Sequence, residues 1–207
     1  MKQKSKYLVE AILNFGIFLS SLIGCIIIGR KQGFTMLMFY TVDSNILALV
    51  AGLLVGIYAL RAYKTGEKIP DKVKMFKYLA VLCLTVTFIV VILVLAPMNG
   101  IKGYQMMLFS GDMLYHHFIS PVLGLVTFFM FDYVTCAKKK AALIALIPTV
   151  IYAAIFITLN LLRVVDGPYP FLRVYDQPFY MSVIWCVLIV GGAYLVAYLL
   201  AKIKPSK

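Results

Sequence analysis

The sequence predicts an all-α bundle of six membrane-crossing helices with both termini cytoplasmic, and three observations predict it. Hydrophobic residues make up 63% of the chain and its mean hydropathy is +0.95, far beyond the ~45–50% apolar usage of soluble domains. Six apolar stretches are each long enough to cross a hydrocarbon core of about 30 Å at about 1.5 Å per residue. The basic residues alternate with those stretches from one side to the other.

The stretches run Tyr7–Gly29, Phe34–Leu60, Phe76–Ala96, Met106–Val134, Ala141–Leu162 and Phe179–Ala201. So little sequence separates them that residues 1–207 read as one transmembrane domain with no soluble module. The first stretch follows Met1-Lys2-Gln3-Lys4 and contains Leu22-Ile23-Gly24-Cys25, which together mimic a signal peptide with a lipoprotein box. Its apolar run continues past the cysteine through Ile26, Ile27 and Ile28, as a complete crossing does and a cleaved leader does not. The second and third stretches are joined by Thr65-Gly66-Glu67-Lys68-Ile69-Pro70-Asp71, a charged connector with turn-forming Gly and Pro. Only residues 135–140, ending in Lys138–Lys140, separate the fourth and fifth, which makes those two antiparallel neighbours. Pro121 and Pro148 interrupt the fourth and fifth, each freeing a carbonyl one turn earlier. The last stretch follows Asp166–Pro178, a loop rich in proline and aromatic residues that reads as an interfacial belt or as a cap over a site.

Fifteen of the 20 lysines and arginines fall on alternate sides of this layout: Lys2, Lys4 and Lys6; Arg61, Lys64, Lys68, Lys72, Lys74 and Lys77; Lys138 to Lys140; and Lys202, Lys204 and Lys207. The opposite side holds only Arg30, Lys31, Lys102, Arg163 and Arg173. The positive-inside rule therefore places both termini in the cytoplasm. It also assigns the net charge of +12 to anionic headgroups and not to nucleic acid. The four cysteines stand singly, without metal or redox spacing; pairing of Cys25 with Cys186, both toward the outer side, is left open.

Ionisable groups inside a membrane are costly and are kept there mainly for function. Two segments carry them. Tyr40-Thr41-Val42-Asp43-Ser44-Asn45 places Thr41, Ser44 and Asn45 on one helix face at i, i+3 and i+4. Gly111 to Pro121 contains both histidines of the chain, with Asp112, His116 and Ser120 at i, i+4 and i+8. Thr41 lies seven residues, about 10 Å, into its stretch and His116 ten residues, about 15 Å, into its own. Both stretches enter from the outer side, so a hydroxyl and an imidazole share one depth. Asn160 and Arg163 end the fifth stretch on that side.

These groups match an ester-cleaving site. A threonine hydroxyl needs an adjacent base, and a neutral imidazole supplies one. Thr41 is then the nucleophile, His116 its base with His117 as the competing register, and Asp112 the group that orients the ring. Asn45, Asn160 or Arg163 would stabilise the oxyanion, with Ser44 in support, the helix amides being already engaged in the helix. A substrate that arrives through lipid is acyl-chain-like. Neighbouring helical residues diverge and there is no third histidine, so neither metal nor haem ligation is expected, and no cofactor. Bland readings of the same groups are a threonine bonded to its own helix, Ser and Asn joining helices, and a structural histidine. The rival functions are a non-catalytic lipid, quinone or small-solute binder or transporter using the same pocket, and a structural membrane subunit.

Phe39-Tyr40-Thr41-Val42-Asp43-Ser44-Asn45, the His116-to-Pro121 motif and Tyr169-Pro170-Phe171, in a six-span layout over nearly the whole chain, resemble the androgen-induced membrane hydrolases and their bacterial six-helix relatives. The resemblance implies an intramembrane threonine hydrolase of fatty-acyl esters, with the nucleophile on Thr41 and the base on His116. It also implies a bacterial plasma membrane, with membrane lipids and a lipid ester as partners.

Overall fold

The computed structural model describes residues 3–134 and 136–204; Lys2 and Lys207 of the basic flanks lie outside the described residues. Helices α1 (Gln3–Gln32), α2 (Tyr40–Thr65), α3 (Asp71–Val90), α4 (Gly100–Phe109), α5 (Gly111–Phe131), α6 (Lys138–Leu161) and α7 (Phe179–Ile203) account for most of the chain, and no strand occurs among the described residues. Six segments are long and apolar enough to cross a membrane, one each for α1, α2, α5, α6 and α7, while the third, Asp71–Phe109, takes in both α3 and α4. The apolar runs dictate this: a helix satisfies its own backbone groups, so it can surround itself with hydrocarbon.

Helices α1 and α2 form the most intimate pair. A Cβ on Gly52 of α2 would lie 2.7 Å from the Asn14 carbonyl of α1, so only glycine lets these backbones approach so closely. Small residues do the same between α6 and α7, where Ala141, Ala142 and Ala145 share a core with Ala193, Ala197 and Ala201. Tyr78 of α3 joins that core, its ring 5.8 Å from Phe128 of α5 and its hydroxyl donating to the Ala197 carbonyl at 2.6 Å.

Two lysines of the expected basic loop are not at the surface. Lys74 and Lys77 are 3% and 1% exposed. Lys74 donates to Glu10 and to Asp132 Oδ1, and Lys77 donates to Asn14 Oδ1 at 2.6 Å. Buried ammonium groups are kept only with such partners, so this pair faces the bundle and not the headgroups.

The expected fourth span is also two helices. Ser110 is extended (φ −108°, ψ 124°) and Gly111 has φ +51°, a conformation that suits glycine. The chain therefore breaks between α4 and α5, and Met106 belongs to α4. Likewise Gly33–Met38 is a 3-10 turn and Phe39 is extended, so α2 begins at Tyr40 and not at Phe34. Both corrections move the polar residues to helix starts: Thr41 is the second residue of α2, and the histidines lie within two turns of the start of α5. Residues Leu114–Ile119 are wound as a π-helix, ending beside Pro121, which has no N–H to offer a regular helix.

Candidate active site

Thr41 is positioned by the way the chain enters α2. The first N–H groups of a helix have no acceptor within it. Phe39 takes those of Val42 and Asp43 on its carbonyl, at 2.9 and 3.2 Å. The Thr41 N–H turns instead to the phenol oxygen of Tyr169 at 3.3 Å, and the same oxygen lies 3.3 Å from Thr41 Oγ1. A helix amide is thus free of the helix, contrary to the expectation that all were engaged.

The imidazole beside Thr41 is His117. Its Nε2 lies 3.3 Å from Thr41 Oγ1, and its Nδ1 lies 2.7 Å from the Met107 carbonyl oxygen across the α4–α5 break. A carbonyl only accepts, so Nδ1 carries the proton and the Nε2 of the neutral ring is an acceptor. Thr41 Oγ1 then donates to Nε2 and accepts from the Tyr169 hydroxyl. Every proton in the chain Met107–His117–Thr41–Tyr169 has one direction.

His116, expected as the partner of Thr41, faces α1. Its Nε2 lies 3.8 Å from Cys25 Sγ, and its ring packs on the backbone at Gly24. Neighbouring helical residues point about 100° apart, so one ring goes to α1 and the other to α2. Asp112, expected to orient His116, accepts instead from Lys31 Nζ on its Oδ1 at 2.7 Å. Cys25 and Cys186 are both free thiols, the first buried and the second exposed.

The remaining expected site residues hold the frame. Ser44 donates to the Tyr40 carbonyl at 2.7 Å and accepts from Thr87 at 3.3 Å. Asn45 donates to the carbonyls of Thr41 (2.9 Å) and His116 (3.2 Å) and accepts from Ser21, joining α1, α2 and α5 behind the pair. Asn160 donates to Val165 and accepts from the Val174 N–H, closing the base of the 162–178 loop. Arg163 stacks 4.4 Å over the Tyr175 ring and makes no contact with the site.

That loop is a built cap. Tyr169 is 8% exposed, stacks on Phe171 with centroids 5.2 Å apart, and meets Phe39 edge-on. Burial pushes its phenol above the ordinary tyrosine value, which keeps the proton on the oxygen. Thr41, His116, His117, Asp112 and Tyr169 border a cavity of about 370 Å³. No group of three or more His, Cys, Asp or Glu is arranged to hold a metal ion among the described residues.

Sequence reasoning missed two members of this site. Tyr169 lies 128 residues from Thr41; the signal for it was the stiff aromatic loop, which marked a cap but not a hydroxyl. The Met107 carbonyl has no side-chain signature at all. Compared with known protein families, curated proteins and solved structures, the chain matches none of them.

Proposed function

We propose that this chain is an intramembrane hydrolase of lipid esters, with Thr41 as nucleophile, His117 as base and Tyr169 with the Thr41 N–H as the oxyanion donors. The observation that carries the reading is the directed chain from the Met107 carbonyl through His117 to Thr41. A hydroxyl that donates to an imidazole whose far nitrogen is fixed by an acceptor is an activated nucleophile. Thr41 Oγ1 attacks the ester carbonyl while its proton passes to His117 Nε2. The carbonyl oxygen, now an oxyanion, displaces the phenol oxygen from the Thr41 N–H and takes that N–H together with the Tyr169 O–H, which Thr41 Oγ1 no longer holds. Collapse expels the alcohol with the proton from His117 and leaves an acyl-threonine. Water, deprotonated by the same ring, cleaves that ester and releases the acid.

The basic end of the bundle faces the cytoplasm in this reading, so the site opens in the outer half of a bacterial plasma membrane. A substrate that reaches it from lipid carries an acyl chain. The test is a fluorophosphonate probe with mass-spectrometric mapping on the full chain in detergent or nanodiscs. Labelling of Thr41 that is lost in His117→Ala is the expected result. Lipid that co-purifies without any labelling of Thr41 favours the non-catalytic binder.

A further inference from the structure

Thr41 stands on the wall between two cavities. On one side is the 370 Å³ chamber with the histidines. On the other a bore of only about 50 Å³ runs between α3, α6 and α7, walled by Val86, Val90, Ile157, Trp185 and Ile189. Its hydroxyls already have partners: Tyr40 with Thr149 at 2.7 Å, Tyr152 with the Met38 carbonyl at 2.7 Å, and Thr87 with Ser44 at 3.3 Å. Nothing along the bore calls for a polar ligand, and a polar ligand drawn into it would lose its water without compensation.

The bore shares a wall with a second cavity. A groove of about 180 Å³ on the flank between α3 and α7 shares Val86, Val90, Trp185 and Ile189 with it. The groove is bordered outside by Leu93 and Leu188, which are 69% and 57% exposed. It reaches Gly192, where a Cβ would meet nothing within 4 Å. Helix α7 is wound as π-helix beside this path at Val187–Gly191, and the chain leaves α3 in the same winding at Val91–Leu95. Such extra-residue turns are frequent at functional sites.

We infer that this path is the acyl subsite and its lateral entrance. An unbranched hydrocarbon chain enters from the bilayer between α3 and α7 and threads the bore. Its carbonyl stops at Thr41, and the alcohol half of the ester falls into the 370 Å³ chamber. The two cavities leave Thr41 in different directions, as the two halves of an ester leave its carbonyl carbon. This assignment rests on Thr41 as the nucleophile.

The test uses the full-length protein and p-nitrophenyl esters from acetate to palmitate. The wild type should prefer the long chains in kcat/KM. Ile189→Trp, at a partly exposed wall position, should lower palmitate turnover at least about tenfold more than acetate turnover, since a few displaced methylenes are worth that much. Gly192→Leu should shift the preference in the same direction while favouring the helix. A palmitic acid bearing a diazirine near its methyl end should photolabel the α3 and α7 walls, and less so in Ile189→Trp. Equal losses at every chain length, with photolabelling elsewhere, overturn the acyl path and leave Thr41 catalysis standing. Photolabelling of the path without hydrolysis of any ester overturns the catalytic reading and leaves a hydrocarbon site.

Discussion

His117 Nδ1 and the Met107 carbonyl oxygen lie 2.7 Å apart across a helix break that the sequence hides inside one apolar run. Met107 is in the last turn of α4, whose final carbonyls have no helical donor. The His117 ring supplies one, and in doing so fixes the tautomer that Thr41 meets. In the proposed mechanism this carbonyl takes the place of a triad's acid.

His117→Ala should therefore reduce ester turnover to near background, and Thr41→Ala should do the same. The double variant should be little worse than either single, because groups acting as one unit give non-additive losses. Thr41→Ser keeps the hydroxyl and should retain activity. His116→Ala should remain active. Steady-state kinetics with purified variants check the set, and an inactive His116→Ala beside an active His117→Ala would move the base to His116.

Tyr169→Phe keeps the ring that stacks on Phe171 and removes only the hydroxyl. It should lower kcat by about 10²–10³, the usual loss for one oxyanion donor, with little change in KM. Unchanged kcat would reduce Tyr169 to a lid.

Lys74→Ala should destabilise the bundle by about 3–5 kcal/mol, since Glu10 and Asp132 would then be buried without their shared cation. Thermal unfolding in detergent measures it. Replacing all three by apolar residues of similar size should recover much of the loss, because the desolvation of the ions is then removed as well.

Gly52→Ala forces a Cβ toward the Asn14 carbonyl and should cost about 1–3 kcal/mol, the range for overpacking. The same thermal assay checks it, with Gly192→Ala as the comparison that should gain up to about 1 kcal/mol, because its Cβ would enter open space and alanine favours the helix.

Reporters at the two termini should be cytoplasmic, and those at Lys102 and Asp166 should not. An exported C-terminus would reverse the side on which the site opens.

Length and apolarity made the six long helices legible, because the rule that a membrane helix satisfies its own backbone needs no partner. The helix starts were not legible to the same degree. Nothing apolar distinguishes Gly33–Met38 or Ser110 from the runs around them; a backbone turn at Gly33 and at Gly111 decides both. Thr41 and the histidine pair stood out as polar groups in apolar runs, and the structure brings Thr41 and His117 together. Which ring faces Thr41 depended on the π-helical winding at Leu114–Ile119, and helical counting assumes none. Glu10 and Asn14 were visible in the first apolar run at i and i+4. Their partners Lys74 and Lys77 read in sequence as ordinary flanking charges, so nothing marks the pairing.

The Glu10–Lys74–Asp132 bridge also orders the making of the protein. Lys74 follows Glu10 by 64 residues and precedes Asp132 by 58. During synthesis the α1 carboxylate emerges long before its cation, and the cation before the second carboxylate. On the membrane reading, the first helix therefore carries an uncompensated charge until the third arrives, and the third helix keeps a share of its own until the fifth is made. Biogenesis of this bundle then has two electrostatic checkpoints, and a ribosome stalled before residue 74 should leave the first hairpin accessible at the membrane surface.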